Sequence, residues 1–92
     1  MWHHQHLLTT ELGYLGEIER EVKRTMSDLF SVDVLELNAD SSPDSIEAWD
    51  SLQHVNLVLD LEAGFGVELS EDDIEAMTTV GEIIKLITRL RS

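Results

Sequence analysis

The stretch Trp49-Asp50-Ser51-Leu52-Gln53-His54-Val55-Asn56-Leu57-Val58-Leu59-Asp60-Leu61-Glu62-Ala63-Gly64-Phe65-Gly66 reads as one capped helix. Asp50 is a favoured N-cap, and Gln53 three positions on makes a capping-box-like pair with it. Leu52 to Phe65 is densely apolar, and Gly64 and Gly66 close the helix. At 100° per residue the apolar side chains form two stripes rather than one. With Leu52 as zero, Leu57, Val58, Leu61 and Phe65 fall between roughly 140° and 240°, while Leu52, Val55 and Leu59 fall between roughly 300° and 0°. The first stripe can face a core. The second, flanked by Gln53, Asn56, Asp60 and Glu62, is either covered by a neighbouring loop or stays wet as an acidic-rimmed docking surface.

Upstream, Leu12, Leu15, Ile18, Val22, Met26, Leu29 and Phe30 recur in steps of three and four, which predicts a first helix of about five turns with Thr10 as its cap. Residues 1–10 are then expected to be a flexible N-terminal segment and residues 11–92 the folded domain. Arg20, Lys23 and Arg24 lie on this helix within reach of Glu17, Glu19 and Glu21, each pair worth a few tenths of a kcal/mol at most. Between the two helices, Ser31 to Trp49 holds the single proline, Pro43, among turn-forming residues. A loop of about 20 residues needs pins in a small domain, and Val34, Leu35, Leu37, Ile46 and Trp49 are the apolar residues able to supply them. Downstream, Ser70 with Asp73 caps a short helix over 71–77, and Thr79 with Glu82 caps a fourth over 80–90. The apolar positions of that last helix are Val80, Ile83, Ile84, Ile87 and Leu90, with Lys85, Arg89 and Arg91 toward its negative end. The expected fold is all-α: a four-helix bundle with three longer helices, one short helix and a long loop between the first two.

Charge and composition narrow the function. The 92 residues carry 19 Asp+Glu against 6 Lys+Arg, a net charge of −13. Between Thr25 and Ile84 there are 15 carboxylates and no Lys or Arg. Nucleic acid is bound mainly by neutralising phosphates with cations, so neither nucleic acid nor an anionic membrane is an expected partner. No segment approaches the ~18–20 apolar residues that span a bilayer, and Met1-Trp2-His3-His4-Gln5-His6 lacks the basic and apolar regions of a signal peptide. A cytoplasmic monomer is expected. The chain has no Cys, which excludes disulfides, a thiolate nucleophile and Cys-ligated metals. Thiol chemistry would have to come from an attached group.

Ser51 directly follows the Asp50 cap, beside amides that lack intrahelical partners. The partial positive charge there favours an anion attached to its hydroxyl. As a nucleophile of its own Ser51 would need a base and an orienting group. The nearest imidazole, His54, lies on the core-side stripe, and no catalytic triad is apparent.

Trp49-Asp50-Ser51-Leu52, then Val55, Leu57-Val58, Leu61-Glu62, Phe65-Gly66-Val67-Glu68-Leu69 and Thr78-Thr79-Val80-Gly81-Glu82-Ile83, resembles the acyl carrier protein family over about four-fifths of the chain. The Asp-Ser-Leu triplet is common by itself; its combination with Phe-Gly-Val and Thr-Thr-Val-Gly at these distances is specific. The resemblance implies that a phosphopantetheinyl transferase moves 4′-phosphopantetheine from coenzyme A onto Ser51, with Asp50 supporting the transfer. The chain itself would then be no enzyme, and no residue a catalyst; the arm would hold acyl groups as thioesters for enzymes of fatty acid, polyketide or related biosynthesis. It further implies that Leu52, Val55, Asn56, Leu59, Asp60, Glu62 and Glu68 meet basic docking patches on acyl-transferring, condensing or modifying enzymes. Leu57, Leu61 and Ile74 are the implied lining of a cavity into which an acyl chain retreats, although the same residues would serve as ordinary core.

The chain departs from the carriers of general fatty acid synthesis in having Gln53, Asn56 and Glu62-Ala63 where acidic residues are usual, which favours a dedicated pathway. Asp50, where peptidyl carriers often have His, favours acyl over aminoacyl or peptidyl cargo. The rival from another class is an unmodified acidic helical adaptor that binds partners through Leu52, Val55 and Leu59. His3, His4 and His6 have no carboxylate close by to complete a metal site. Asp60 to Glu71 has the span of a calcium loop but Phe65 where the turn needs Gly. No metal is expected.

Overall fold

The computed structural model describes residues 2–91, with side chains from residue 16 onward. Its elements are α1 (Trp2–Phe30), a single 3-10 turn (Val34–Glu36), α2 (Ser51–Phe65), α3 (Glu71–Ala76) and α4 (Val80–Arg91). No strand occurs among the described residues. This is the expected all-α arrangement of three longer helices and a short one.

α1 begins at Trp2, so Thr10 lies inside the helix and does not cap it. Residues 2–10 contain neither proline nor glycine, and a helix extends readily once nucleated wherever nothing breaks it. The roles considered for Leu12, Leu15 and the N-terminal histidines fall outside the described side chains. From there on the stripe is as read: Ile18, Val22, Met26 and Phe30, four residues apart, are all buried. They pack with Leu57, Val58 and Leu61 of α2 and with Val80, Ile83, Leu86 and Ile87 of α4 in one core. α1 lies against both α2 and α4, and α3 against α4. α3 buries none of its own residues fully; Leu69 and Met77 on either side of it sink into the core instead.

The loop between α1 and α2 is held mainly from its middle and its end. Leu37, Ile46 and Trp49 are buried, whereas Leu35 is 90% exposed and Val34 also faces solvent. Leu35 therefore does not act as a pin, while Val34, 39% exposed, lies beside Glu19, Arg20 and Lys23 of α1 and is at most a partial one. The loop also completes α4. The amides of Val80 and Gly81, two of the donors that a helix start leaves without intrahelical partners, donate to the carbonyls of Ser41 and Ala39, both at 3.0 Å. Gly81 suits that contact, since a Cβ there would lie 3.1 Å from the Ala39 carbonyl oxygen and the loop backbone would have to give by a few tenths of an ångström. Buried Ser41 accepts from the Asn38 amide through Oγ, so the loop satisfies its own polar groups where it docks.

Candidate functional site

α2 starts where the sequence places it. Asp50 is extended, and its Oδ1 accepts from the Gln53 amide at 2.9 Å. The reciprocal half of the capping box is absent. The Gln53 side chain instead donates to the Leu29 carbonyl at the end of α1 and accepts from Asn56 Nδ2. Tertiary reach wins over the local return bond, because the Leu29 carbonyl is one of the acceptors that α1 leaves open at its end. At the other end Gly66 adopts φ 65°, and the amides of Gly66 and Val67 both donate to the Glu62 carbonyl. Gly64 stays within the helix rather than ending it.

Ser51 is the first helical residue and is exposed. The first α-helical bond inside α2 runs from the His54 amide to the Asp50 carbonyl, and Asp50 Oδ1 takes the Gln53 amide. The amides of Ser51 and Leu52 therefore have no intrahelical acceptor and give the helix start its positive end. Beside the hydroxyl lies an open concavity of about 500 Å³ lined by Pro43, Trp49, Asp50, Ser51 and His54. An anionic ester on Ser51 Oγ has room there, and the helix terminus stabilises its charge.

His54 is not a base for Ser51. Trp49 Nε1 donates to His54 Nδ1 at 2.9 Å, and His54 Nε2 bonds the Ile74 carbonyl at 3.2 Å, so both ring nitrogens are engaged elsewhere. Trp49, only 2% exposed, packs against the Phe30 ring with centroids 5.7 Å apart and lies edge to edge with His54, the two planes within 15°. The expectation that Trp49 anchors the loop is met. Its hydrogen bond to a residue five positions on, and through that ring to α3, had no signal in the spacing of apolar residues.

The second stripe of α2 is uncovered: Leu52, Val55 and Leu59 are 71%, 56% and 57% exposed. Asp60 and Glu68 are exposed nearby, while Asn56 and Glu62 are half-buried and already engaged. Glu62 Oε2 accepts from the Leu69 amide at 2.9 Å and so holds the turn between α2 and α3. Leu57 and Leu61 are fully buried, and Ile74 is partly buried against the same core. The described cations lie on α1 and α4, where Lys23 pairs with Glu19, Arg24 with Glu21, Lys85 with Glu82 and Arg89 with Asp73. The segment from the loop through α2 to α3 carries no Lys or Arg of its own; from α4, Arg89 reaches Asp73 and Arg91 donates to the Phe65 carbonyl.

The model of a family described as "Phosphopantetheine attachment site" matches residues 20–87, most of the chain. The chain belongs to the acyl carrier protein family. Among curated relatives, the acyl carrier protein of Lactobacillus johnsonii is 37% identical over 71 residues, covering 77% of this chain and 89% of that one. Acyl carrier protein 2 of Pseudomonas aeruginosa is 36% identical over 70 residues, covering 76% of this chain and 89% of its own length. The solution structure of a holo acyl carrier protein from Geobacter metallireducens superposes with a TM-score of 0.71 at 25% identity, covering 78% of this chain and 83% of that chain. As an acyl carrier protein the chain carries 4′-phosphopantetheine covalently and works as a phosphopantetheine-dependent carrier of acyl groups. Carriers of this family are generally not catalysts themselves. No described helix is long and apolar enough to cross a membrane.

Proposed function

We propose that Ser51 Oγ is the attachment point, and that the chain serves as a dedicated cytoplasmic carrier whose chemistry is performed by its partners. The observation that carries this reading is the position of Ser51: an exposed hydroxyl at the positive start of α2, beside an open concavity and without a base of its own. A phosphopantetheinyl transferase would supply the deprotonation, and Asp50, fixed by its bond to the Gln53 amide, would support the transfer from the first turn. When bound, the arm supplies a thiol that holds acyl groups as thioesters, a function this cysteine-free chain does not itself provide.

Recognition falls to the uncovered stripe. Leu52, Val55 and Leu59 would give an apolar centre, and Asp60 and Glu68 an acidic rim that meets basic patches on the transferase and on acyl-transferring, condensing or modifying enzymes. Asn56 and Glu62 belong to the same face, but their hydrogen bonds to Gln53 and Leu69 make them supports for α2 as well as contacts. Leu57, Leu61 and Ile74 are proposed to line the path of a retreating acyl chain, which would require α2 and α3 to part, because Leu57 and Leu61 are closed to solvent.

The test is loading in vitro. With coenzyme A and a broad-specificity phosphopantetheinyl transferase, the intact mass of the wild type should rise by one phosphopantetheine group, and that of Ser51→Ala should not. An unchanged wild-type mass would favour the unmodified adaptor that docks through Leu52, Val55 and Leu59.

A further inference from the structure

Ser51, His54, Leu57, Val58 and Leu61 succeed one another along one side of α2 in steps of three, three, one and three residues. A flexible chain tethered at Ser51 therefore meets the His54 ring before it reaches the buried interior at Leu57 and Leu61. That ring is fixed at both ends. An indole N–H can only donate, so His54 Nδ1 accepts from Trp49 and Nε2 carries the hydrogen given to the Ile74 carbonyl on α3. The two rings lie edge to edge and nearly coplanar, 15° apart, joined by the Trp49–His54 hydrogen bond, which fixes the plane of the imidazole. The bridge thus closes the approach between α2 and α3 at the end nearest Ser51.

Apolar cargo that enters between the helices must displace this ring. The buried indole N–H is then left without its acceptor, and the Ile74 carbonyl keeps only its bond from the Met77 amide. The two losses together offset the gain from burying about three to seven methylene groups. We propose that His54, held by Trp49 and Ile74, is a specificity-determining residue that acts as a length gate. Cargo shorter than that threshold stays outside the bundle, and only longer aliphatic chains enter between α2 and α3. This inference rests on attachment at Ser51, since the gate lies one turn from that hydroxyl.

The test compares the wild type with His54→Leu, each loaded with acyl groups from acetyl to dodecanoyl and checked by intact mass, with the thermal midpoint followed against chain length. In His54→Leu the midpoint should begin to rise with the shortest acyl groups. In the wild type the onset should come about three to seven methylenes later. A uniform offset with the same onset in both proteins would overturn the gate, because a residue with a merely structural role shifts every midpoint alike. If the intact mass shows no loading, the Ser51 reading has failed, and the bridge is judged separately in the unloaded chain. There Trp49→Phe, which keeps an aromatic ring against Phe30 but removes the donor, should speed amide exchange at the end of α3 by about two- to tenfold. Unchanged exchange would show that the bridge does not hold α3.

Discussion

Replacing Leu52, Val55 and Leu59 together by alanine separates a docking surface from a structural one. These side chains are 71%, 56% and 57% exposed, so only roughly a third to a half of each is shielded from water. At about 1.5–3 kcal/mol for complete burial of such a side chain, and with alanine keeping the Cβ, the shielded part is worth about 0.5 kcal/mol per residue. Alanine returns a few tenths through its higher helix propensity, most of all at the β-branched Val55. The triple variant should therefore lose no more than about 1 kcal/mol in all. Leu57→Ala, at a fully buried position of the same helix, should by itself lose about 2–5 kcal/mol. In urea denaturation, with a slope of about 1–3 kcal/mol per molar, Leu57→Ala should move the midpoint several times further than the triple variant does. The triple variant should nevertheless be a poor substrate for the phosphopantetheinyl transferase, with kcat/KM reduced at least tenfold, about 1.4 kcal/mol of recognition. A stability loss equal to that of Leu57→Ala would mean the stripe is covered by structure. Full stability with an unchanged transfer rate would leave it without a docking role.

Gly81→Val should destabilise the domain by about 1–3 kcal/mol, because the added atoms would meet the Ala39 backbone that accepts the Gly81 amide. Gly64→Ala, in the interior of α2 with nothing within 4 Å of a new Cβ, should instead stabilise by up to about 1 kcal/mol; thermal or urea denaturation reads both, and equal effects would contradict the docked loop. With a net charge of −13 and the described cations confined to α1 and α4, self-repulsion should lower stability at low ionic strength. The melting temperature should accordingly climb as NaCl or MgCl₂ is added, and a flat response would remove charge repulsion from the list of destabilising effects.

Much of this architecture was legible in residue spacing because the signals are local. The stripe from Ile18 to Phe30, the caps Asp50, Ser70 and Thr79, and the left-handed close at Gly66 each depend on residues within a turn or two. The two stripes of α2 were equally readable, as was which of them can face the core, but whether the other stays wet was not, since that depends on where the long loop runs. That loop turns toward the start of α4 to give the carbonyls of Ala39 and Ser41 to its first amides, and so leaves Leu52, Val55 and Leu59 uncovered. Such main-chain bonds are made by any residue type and leave no trace in composition. The same reason hid the destination of the Gln53 side chain, which has a local partner in the capping box and a distant one at the Leu29 carbonyl. The start of α1 was misplaced because a helix needs no dedicated cap to extend. The Trp49–His54–Ile74 bridge was invisible because one of its three partners is a backbone carbonyl 20 residues from the imidazole.

The most direct measurement is site-resolved mass analysis of the loaded wild-type chain. Fragmentation of the peptide that spans Trp49 to Leu52 should release a single phosphopantetheine from Ser51, with every other serine unmodified. An arm found on Ser41, Ser42, Ser45 or Ser70, or properly folded protein left bare by a competent transferase, would contradict the assignment.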